Sequence, residues 1–388
     1  MKQVLVTAVA AGWMVVAGSV MGQTAAAPAA PAAVEPVAAA KPVDLAICLD
    51  TSGSMDGLID AARQKLWGIV SDLATAKPRP ALRVALLSFG NDSYTPESGW
   101  VKVLIPFTTD LDEVSKQLFA LTTNGGTEYV GRVVHKAAAD LAWTQDAGAM
   151  KLIIVAGNEG ADQDATVTYQ QACGEAIGKG IMVNAIYCGD ANDGIAPGWR
   201  DVAKLADGEF AAIDQNRNEV IPTPHDSKLA ELSAAINATY VAYGAHGTAG
   251  RANQAEQDAN VARAAPAAVA QRASMKATGL YSNRHWDLVD AVFTGEEKDR
   301  VKLESLKEEE LPEAMRTMTL AERKSHLESM LKQRAEIQRQ IAEETVKRDA
   351  FLEQARREQA AAEGRADFES VLRAAVRKQA ERKGFSFK

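Results

Sequence analysis

The sequence has few of the residues on which thiol, zinc and acid–base sites depend. It contains 3 cysteines and 5 histidines, and none of the cysteines has zinc-like spacing to a histidine. Cys48 and Cys188 lie inside apolar runs, where a thiol behaves as a small hydrophobic side chain. A disulfide between Cys173 and Cys188 stays open as an alternative, because pairing cannot be deduced from spacing. The sequence therefore predicts neither a zinc site nor a thiol catalyst.

An excess of positive charge is also missing. Lys and Arg number 43 against 51 Asp and Glu, which gives a formal net charge of −8. Binding to nucleic acid depends on a basic surface that releases counterions, so we expect no nucleic-acid partner. The chain also lacks the G-x-S-x-G and G-x-x-x-x-G-K-[ST] motifs of many hydrolases and nucleotide triphosphatases. We therefore expect no enzymatic activity.

Long hydrophobic runs are missing everywhere except at the N-terminus. Residues 1–22 place Lys2 before an apolar stretch that is followed by small residues, which is typical of a cleaved signal peptide. An uncleaved anchor over residues 4–21 is the alternative, because that stretch approaches the length of a membrane span. The signal peptide predicts a periplasmic or secreted protein that is not in the membrane after cleavage.

The composition divides the rest of the chain into four parts. Residues 23–42 are rich in Ala and Pro and predict an extended linker. Residues 43–243 alternate strand-like and helix-like segments, which predicts a mostly parallel sheet covered on both faces. Residues 244–297 predict a linker with docking helices, and 298–388 a charged, coiled-coil-like helical region with a turn near Gly364.

Within residues 43–243, short apolar runs predict six strands and amphipathic segments predict five helices. The predicted strands are 43–49, 82–89, 101–107, 151–156, 181–188 and 208–213, and the predicted helices are 57–76, 111–121, 129–142, 164–178 and 226–242. The second and third strands are joined by "GNDSYTPESGW", which lacks helical periodicity and indicates a hairpin. We therefore expect a doubly wound, mostly parallel α/β sheet with one antiparallel edge strand.

Oxygen-bearing side chains occur in three loops between the predicted strands and helices. "DTSGS" follows the first strand, "NGGTEY" precedes a later helix, and "GNEG" follows the fourth strand. The carboxyl ends of parallel strands meet at one edge of the sheet, which is where ligands bind in such folds. The candidate ligands are Asp50, Ser52, Ser54, Thr127 and Asn158, and oxygen donors suit Mg²⁺, with Mn²⁺ or Ca²⁺ as alternatives. Taken alone, "DTSGS" also fits the capping of a helix N-terminus.

These motifs resemble a known family. The Asp-x-Ser-Gly-Ser signature and the later Gly-Gly-Thr, within alternating strands and helices, resemble a von Willebrand factor type A domain with a metal-ion-dependent adhesion site. The resemblance covers about residues 43–243 and implies a doubly wound sheet. It also implies that Asp50, Ser52 and Ser54 form the first metal loop and that Thr127 lies in the second.

The third loop departs from the family pattern. The family's Thr-Asp-Gly offers an aspartate, whereas this chain reads Gly157-Asn158-Glu159. The site then loses one formal negative charge, so we expect weaker metal binding. Asp162 and Asp164 are close enough in sequence to compensate from outside the ligand set.

The predicted function is binding to a protein partner that presents an acidic side chain to the metal. Glu128, Tyr129 and Asp190 are predicted to lie around the site, with Tyr129 and Asp190 tuning specificity. A second hypothesis is a structural or assembly role, including self-association, through the C-terminal helices, with the metal site secondary or unoccupied. The third is an enzyme that uses the metal as a Lewis acid, for which Glu128 and Glu159 are the only nearby carboxylates that we nominate as bases.

Overall fold

The computed structural model describes residues 40–213, 221–264, 266–363 and 368–387. The predicted signal peptide, its alternative as an anchor, residues 23–39 of the predicted linker and the predicted turn at Gly364 lie outside these residues. In the described part of the chain, no helix combines the length and the apolar character that are needed to cross a membrane.

Six strands form one sheet in the described residues. They are β1 (Lys41–Asp50), β2 (Pro80–Phe89), β3 (Val101–Thr108), β4 (Met150–Gly157), β5 (Met182–Tyr187) and β6 (Phe210–Ala212), in the order β3-β2-β1-β4-β5-β6. Strand β3 is antiparallel to β2, and the other pairs are parallel. The predicted mostly parallel sheet with one antiparallel edge strand is confirmed.

Helices cover both faces of the sheet. The helices of the first half are α1 (Ile59–Leu73), α2 (Leu111–Phe119), α3 (Val130–Asp140), α4 (Tyr169–Gly178), α5 (Ala196–Leu205) and α6 (Asp226–Asn237). Helices α3, α4 and α5 share one apolar core with Ala46 and Cys48 of β1, and helices α1, α2 and α6 share the other with Leu45 and Ile47. Alternate residues of β1 thus enter two cores, which explains why its sequence is almost continuously apolar.

The charged residue in the middle of β1, Asp44, is fully paired. Asp44 is buried and accepts two hydrogen bonds from Arg83, at 2.9 and 2.8 Å, and one from the backbone N–H of Thr144 at 2.6 Å. Because a buried carboxylate is costly unless it is paired, these contacts are what allow Asp44 in a central strand.

The second half of the described chain is helical and packs back onto the first half. Its helices are α7 (Gly247–Ala264), α8 (Pro266–Lys276), α9 (Leu288–Phe293), α10 (Glu313–Arg316), α11 (Leu320–Glu363) and α12 (Phe368–Arg382). Helix α11 contacts α6, α8 and α9, and helix α12 contacts α1 and β6. Ile341 of α11 and Leu372, Val376 and Ala380 of α12 enter the same core as α1.

Three details differ from what the sequence predicts. Helix α5 was missed, because Ala196–Leu205 follows a loop rich in Gly and Asp and contains an early proline. The predicted helix 164–178 begins only at Tyr169, after Thr168 caps it. The open alternative of a Cys173–Cys188 disulfide is wrong, since all three cysteines are free and buried.

Candidate metal centre

The site lies where β1 ends between its two neighbours. Asp50 is the last residue of β1 and is fully buried. A Cβ placed on Gly90, directly after β2, would lie 2.5 Å from Asp50 Oδ1, and one on Gly157, at the end of β4, would lie 3.0 Å from Asp50 Oδ2. The two glycines therefore leave the space that the Asp50 carboxylate occupies.

The first loop and the third loop form one chain of hydrogen bonds. Asp50 Oδ1 accepts a bond from the Ser52 backbone N–H at 2.8 Å, and the Ser52 and Ser54 hydroxyls are 2.9 Å apart. Ser54 Oγ donates to Asn158 Oδ1 at 3.0 Å, and Asn158 Nδ2 donates to the Ser54 carbonyl at 2.9 Å. Four of the five predicted ligands are thus brought together.

These polar side chains do not cap the first helix. Helix α1 begins at Ile59, its N-cap is Leu58, and no side chain makes a capping hydrogen bond there. A short 3-10 helix, Gly53–Met55, begins after Ser52, whose side chain also makes no capping bond. The capping alternative for "DTSGS" is therefore wrong, and the carboxylate and hydroxyls face the third loop instead.

The second loop packs tightly on the first but presents an unexpected residue. The backbone N–H of Asn124 donates to the Thr51 carbonyl at 3.0 Å. Thr127, the predicted ligand of this loop, is exposed, whereas Glu128 is only 6% exposed. The sequence predicts Glu128 only around the site, because its place after Thr127 does not reveal that its side chain is buried.

The remaining predicted rim residues fall into two groups. Asp164 is buried and pairs with Arg132, while its Oδ1 also accepts the backbone N–H groups of Thr166 and Val167. Tyr129 is half-buried and carries the same arginine over its ring, 4.5 Å from the centroid. These contacts give Asp164 and Tyr129 structural roles.

Asp162 and Asp190 make up the second group. Both are exposed on loops at the edge where the carboxyl ends of the parallel strands meet, which we call the crest of the sheet. Asp190 accepts hydrogen bonds from the Asn192 backbone and side chain. Both aspartates therefore lie where a partner approaching the crest would meet them.

The electrostatics of the site favour a cation. Burial raises the pKa of Asp50 to about 7, and the negative charge of Glu128 adds to this shift. Burial also raises the pKa of Glu128. Asp50 Oδ2 is buried and has no hydrogen-bond partner of normal geometry among the described residues. A buried carboxylate oxygen is costly when it is unpaired, and a divalent cation would pair it.

The donor set and its spacing also fit a hard cation. In the described residues, no three His, Cys, Asp or Glu side chains cluster closely enough to hold a metal, so a site here depends on hydroxyl and amide oxygens as well. Neighbouring ligands of an octahedral Mg²⁺ at about 2.1 Å lie about 3 Å apart. The 2.9 Å between the two serine hydroxyls and the 3.0 Å from Ser54 to Asn158 match that spacing.

The solved structures similar to this chain include three from different sources. A von Willebrand factor type A protein from Catenulispora acidiphila is 18% identical with a TM-score of 0.35, and covers 46% of this chain and 40% of its own. Proximal thread matrix protein 1 from the mussel byssus, with a zinc-occupied MIDAS motif, is 12% identical with a TM-score of 0.36, and the match covers 46% and 43%. An aerotolerance-related membrane protein from Bacteroides fragilis is 20% identical with a TM-score of 0.30, covering 44% and 92%.

The chain spans less than half the length of the first two of these structures. No curated protein matches its sequence significantly. The model of the von Willebrand factor type A domain family matches residues 44–196, which contain the Asp50, Glu128 and Asn158 loops. The chain therefore contains a von Willebrand factor type A domain.

Proposed function

We propose that the protein is a metal-dependent binding module of the cell envelope or exterior that holds a carboxylate of a protein partner. The observation that carries this proposal is the buried, unpartnered Asp50 Oδ2 at the crest of the sheet, next to the serine hydroxyls of the first loop. The family match supports it, because such domains are generally interaction modules.

Asp50, Ser52, Ser54 and Asn158 would hold the cation, and the family resemblance adds Thr127. Mg²⁺ is the proposed ion, with Mn²⁺ and Ca²⁺ as alternatives, because the ligands are hard oxygen donors. When bound, the cation supplies an electrophilic position that an external carboxylate completes. The protein's own groups fix the first and third loops and exclude water from Asp50.

The charge of the crest loops limits which kinds of partner surface can bind there. The five loops at residues 51–58, 90–100, 120–129, 157–168 and 188–195 contain no Lys or Arg. Their acidic residues are Asp56, Asp92, Glu97, Glu128, Glu159, Asp162, Asp164, Asp190 and Asp193. An acidic rim repels a uniformly acidic partner, so the partner's carboxylate must lie within a basic or neutral surface.

The assembly hypothesis has less support. Helix α11 uses Arg334 and Arg348, which interrupt its apolar face, to form buried ion pairs within the chain. Helix α12 likewise fills the core beside α1. The buried faces of both helices are thus committed to this chain.

Catalysis also has less support than binding. Of the two carboxylates that we nominate as bases, Glu128 is tied to Gln163 by a 2.9 Å hydrogen bond to Oε2. The backbone carbonyl of Glu159 accepts the Trp199 indole N–H at 2.7 Å, a contact that does not involve its carboxylate. A general base must reach the proton that it removes, and the Glu128 carboxylate, held by Gln163, is poorly placed to do so.

The test is capture of a partner from an envelope extract with immobilised full-length protein. The proposal predicts a partner that is retained with Mg²⁺, released by EDTA, recovered when Mg²⁺ is added back, and absent with Asp50→Ala. Glu231→Ala is the matched control, because it removes an exposed carboxylate on α6, away from the crest, and should retain the partner. Retention by Asp50→Ala, or in EDTA, would refute the metal-dependent mechanism.

A further inference from the structure

We propose that Glu128 is itself a ligand of the cation and supplies the carboxylate that the third loop lacks at Asn158. This inference rests on the proposed function, since it concerns the same site. It changes the ligand set from one carboxylate to two and assigns the second to the loop after Gly126 rather than to the loop after β4.

The first support is the direction in which the second loop turns. Thr127 is exposed, and the next residue, Glu128, is buried to 6% exposure although it is acidic. Glutamate is almost never buried unless it is paired. Yet in the described residues no Lys, Arg or His forms an ion pair with Glu128 or with Asp50.

The second support is the convergence of three side chains on one small space. A Cβ on Gly90 would lie 2.5 Å from Asp50 Oδ1, 3.3 Å from Glu128 Cγ and 3.4 Å from Ser52 Cβ. The Ser52 side chain lies beside both carboxylates, and its hydroxyl is also 2.9 Å from that of Ser54. A serine has one hydroxyl hydrogen, so it cannot satisfy two buried carboxylates at the same time.

The third support is that Glu128 is held in place from the third loop. Gln163 Nε2 donates to Glu128 Oε2 at 2.9 Å, and Gln163 Oε1 accepts the Glu128 backbone N–H at 3.3 Å. This paired contact fixes the glutamate as an orienting group fixes a metal ligand. It also links the second loop to the third, the loop in which Asn158 replaces an aspartate.

The charges then balance. Asp50 and Glu128 together carry −2, which equals the charge that two aspartates would provide and which a divalent cation neutralises. Two buried carboxylates that face each other without a cation repel, so the metal-free protein carries a cost that metal binding removes.

The experiment measures Mn²⁺ affinity by calorimetry and by the loss of the free-ion paramagnetic resonance signal, on the full chain. Glu128→Gln should lose at least tenfold in affinity, and the double variant Glu128→Gln with Asn158→Asp should regain most of it, because the carboxylate returns in the third loop. Asp56→Asn is the matched control, since it removes an exposed carboxylate from the first loop, and its affinity should not change.

A second readout is the melting temperature in EDTA, where no metal contributes. Glu128→Gln should melt at or above the wild-type temperature, because it removes repulsion from Asp50. A lower melting temperature, or failure to fold, would overturn the inference by making Glu128 a structural residue.

The outcomes separate this inference from the proposed function. If Asp50→Ala loses Mn²⁺ while Glu128→Gln keeps the wild-type affinity, or if Asn158→Asp fails to restore binding, Glu128 is not a ligand and the proposed function stands. If the wild-type protein itself binds no Mn²⁺, the proposed function fails, and the inference fails with it.

Discussion

At the scale of single residues, the site depends on glycines as much as on oxygen donors. Gly90 has φ of +72°, and a Cβ there would meet Asp50 Oδ1 at 2.5 Å. A separation below 3.0 Å forces one of the two groups to move, and the Asp50 carboxylate is confined on its other side by Gly157. The Asp50 carboxylate can therefore occupy its position because Gly90 and Gly157 have no side chains.

The Gly90→Ala variant should consequently lose divalent-cation binding and unfold more easily. Left-handed backbone alone costs about 1–2 kcal/mol for a residue with a Cβ, and the contact with Asp50 adds to that. Calorimetry with Mn²⁺ and denaturant unfolding measure the two effects.

Gly57→Ala is the matched control for this prediction. Gly57 has φ of +81°, but a Cβ there would meet nothing within 4 Å. The variant should show the backbone cost and keep wild-type metal affinity. Equal affinities for the two variants would show that the space at Gly90 does not matter to the site.

The residues of the site could be predicted only in part from the sequence. The strand ends and the "DTSGS" and Asn158 loops were visible because apolar runs end there. The burial of Glu128 could not be predicted. Which side chains of an irregular loop are buried depends on how the loop packs, here on Thr51 and Gly90, and not on a periodic sequence pattern.

At the scale of elements, the long helix α11 is held by two buried arginines, Arg334 and Arg348. Arg334 donates to Asp287 at 2.7 Å and to Asp290 at 2.8 Å, and lies 4.0 Å from the ring centroid of Tyr240. Arg348 donates to Asp226 of α6 at 2.8 Å. The sequence could not reveal these pairs, because the aspartates lie more than 40 residues away along the chain.

The Arg334→Met variant should destabilise the protein by about 3–5 kcal/mol at pH 8, because it leaves two buried carboxylates without their cation. Arg339→Met is the control on the same helix, since in the described residues Arg339 pairs with the exposed Glu336 and Glu343, and losing a solvent-screened pair should cost far less stability. Urea denaturation of both variants measures the difference, and equal losses would contradict the assignment.

The deficit of Arg334→Met should also shrink as the pH falls. Burial and the neighbouring Asp287 raise the pKa of Asp290 to about 6, although Arg334 and the Asn283 N–H oppose this shift. A carboxyl group whose pKa is higher in the folded than in the unfolded protein stabilises the folded state at pH values below the unfolded pKa. This stabilisation is lost as the pH rises through the folded pKa. Removing Arg334 raises the pKa of Asp290 in the folded protein further. The loss in free energy of unfolding relative to wild type should therefore be smaller at pH 5 than at pH 8. An unchanged deficit would show that Asp290 does not titrate in this range.

At the scale of the whole molecule, the second half of the chain completes the core of the first. Residues 40–388 form one compact unit. The chain returns to the base of α1, where Lys77 and Ser386 exchange backbone hydrogen bonds of 2.8 and 2.7 Å. Composition placed a boundary near Gly244 because the residues there become small and polar, but Ala270, Ala273 and Met275 beyond it are buried in the shared core.

Ending the chain after Gly295 should therefore abolish cooperative unfolding rather than release a stable domain. The truncation removes α11 and α12, and with them Ile341, Leu372 and Val376 from the core against α1. Truncation of a core of this kind exposes apolar surface, which favours aggregation. Size-exclusion chromatography and thermal melting measure the effect, and a soluble monomer with a sharp melt would contradict it.

The most direct test of the central claim is the binding of Mg²⁺ and Mn²⁺ to wild-type protein and to Asp50→Ala by titration calorimetry. We expect one divalent cation bound per wild-type chain and no binding by the variant, with both proteins folded in EDTA. Indistinguishable titrations of the two proteins would contradict it.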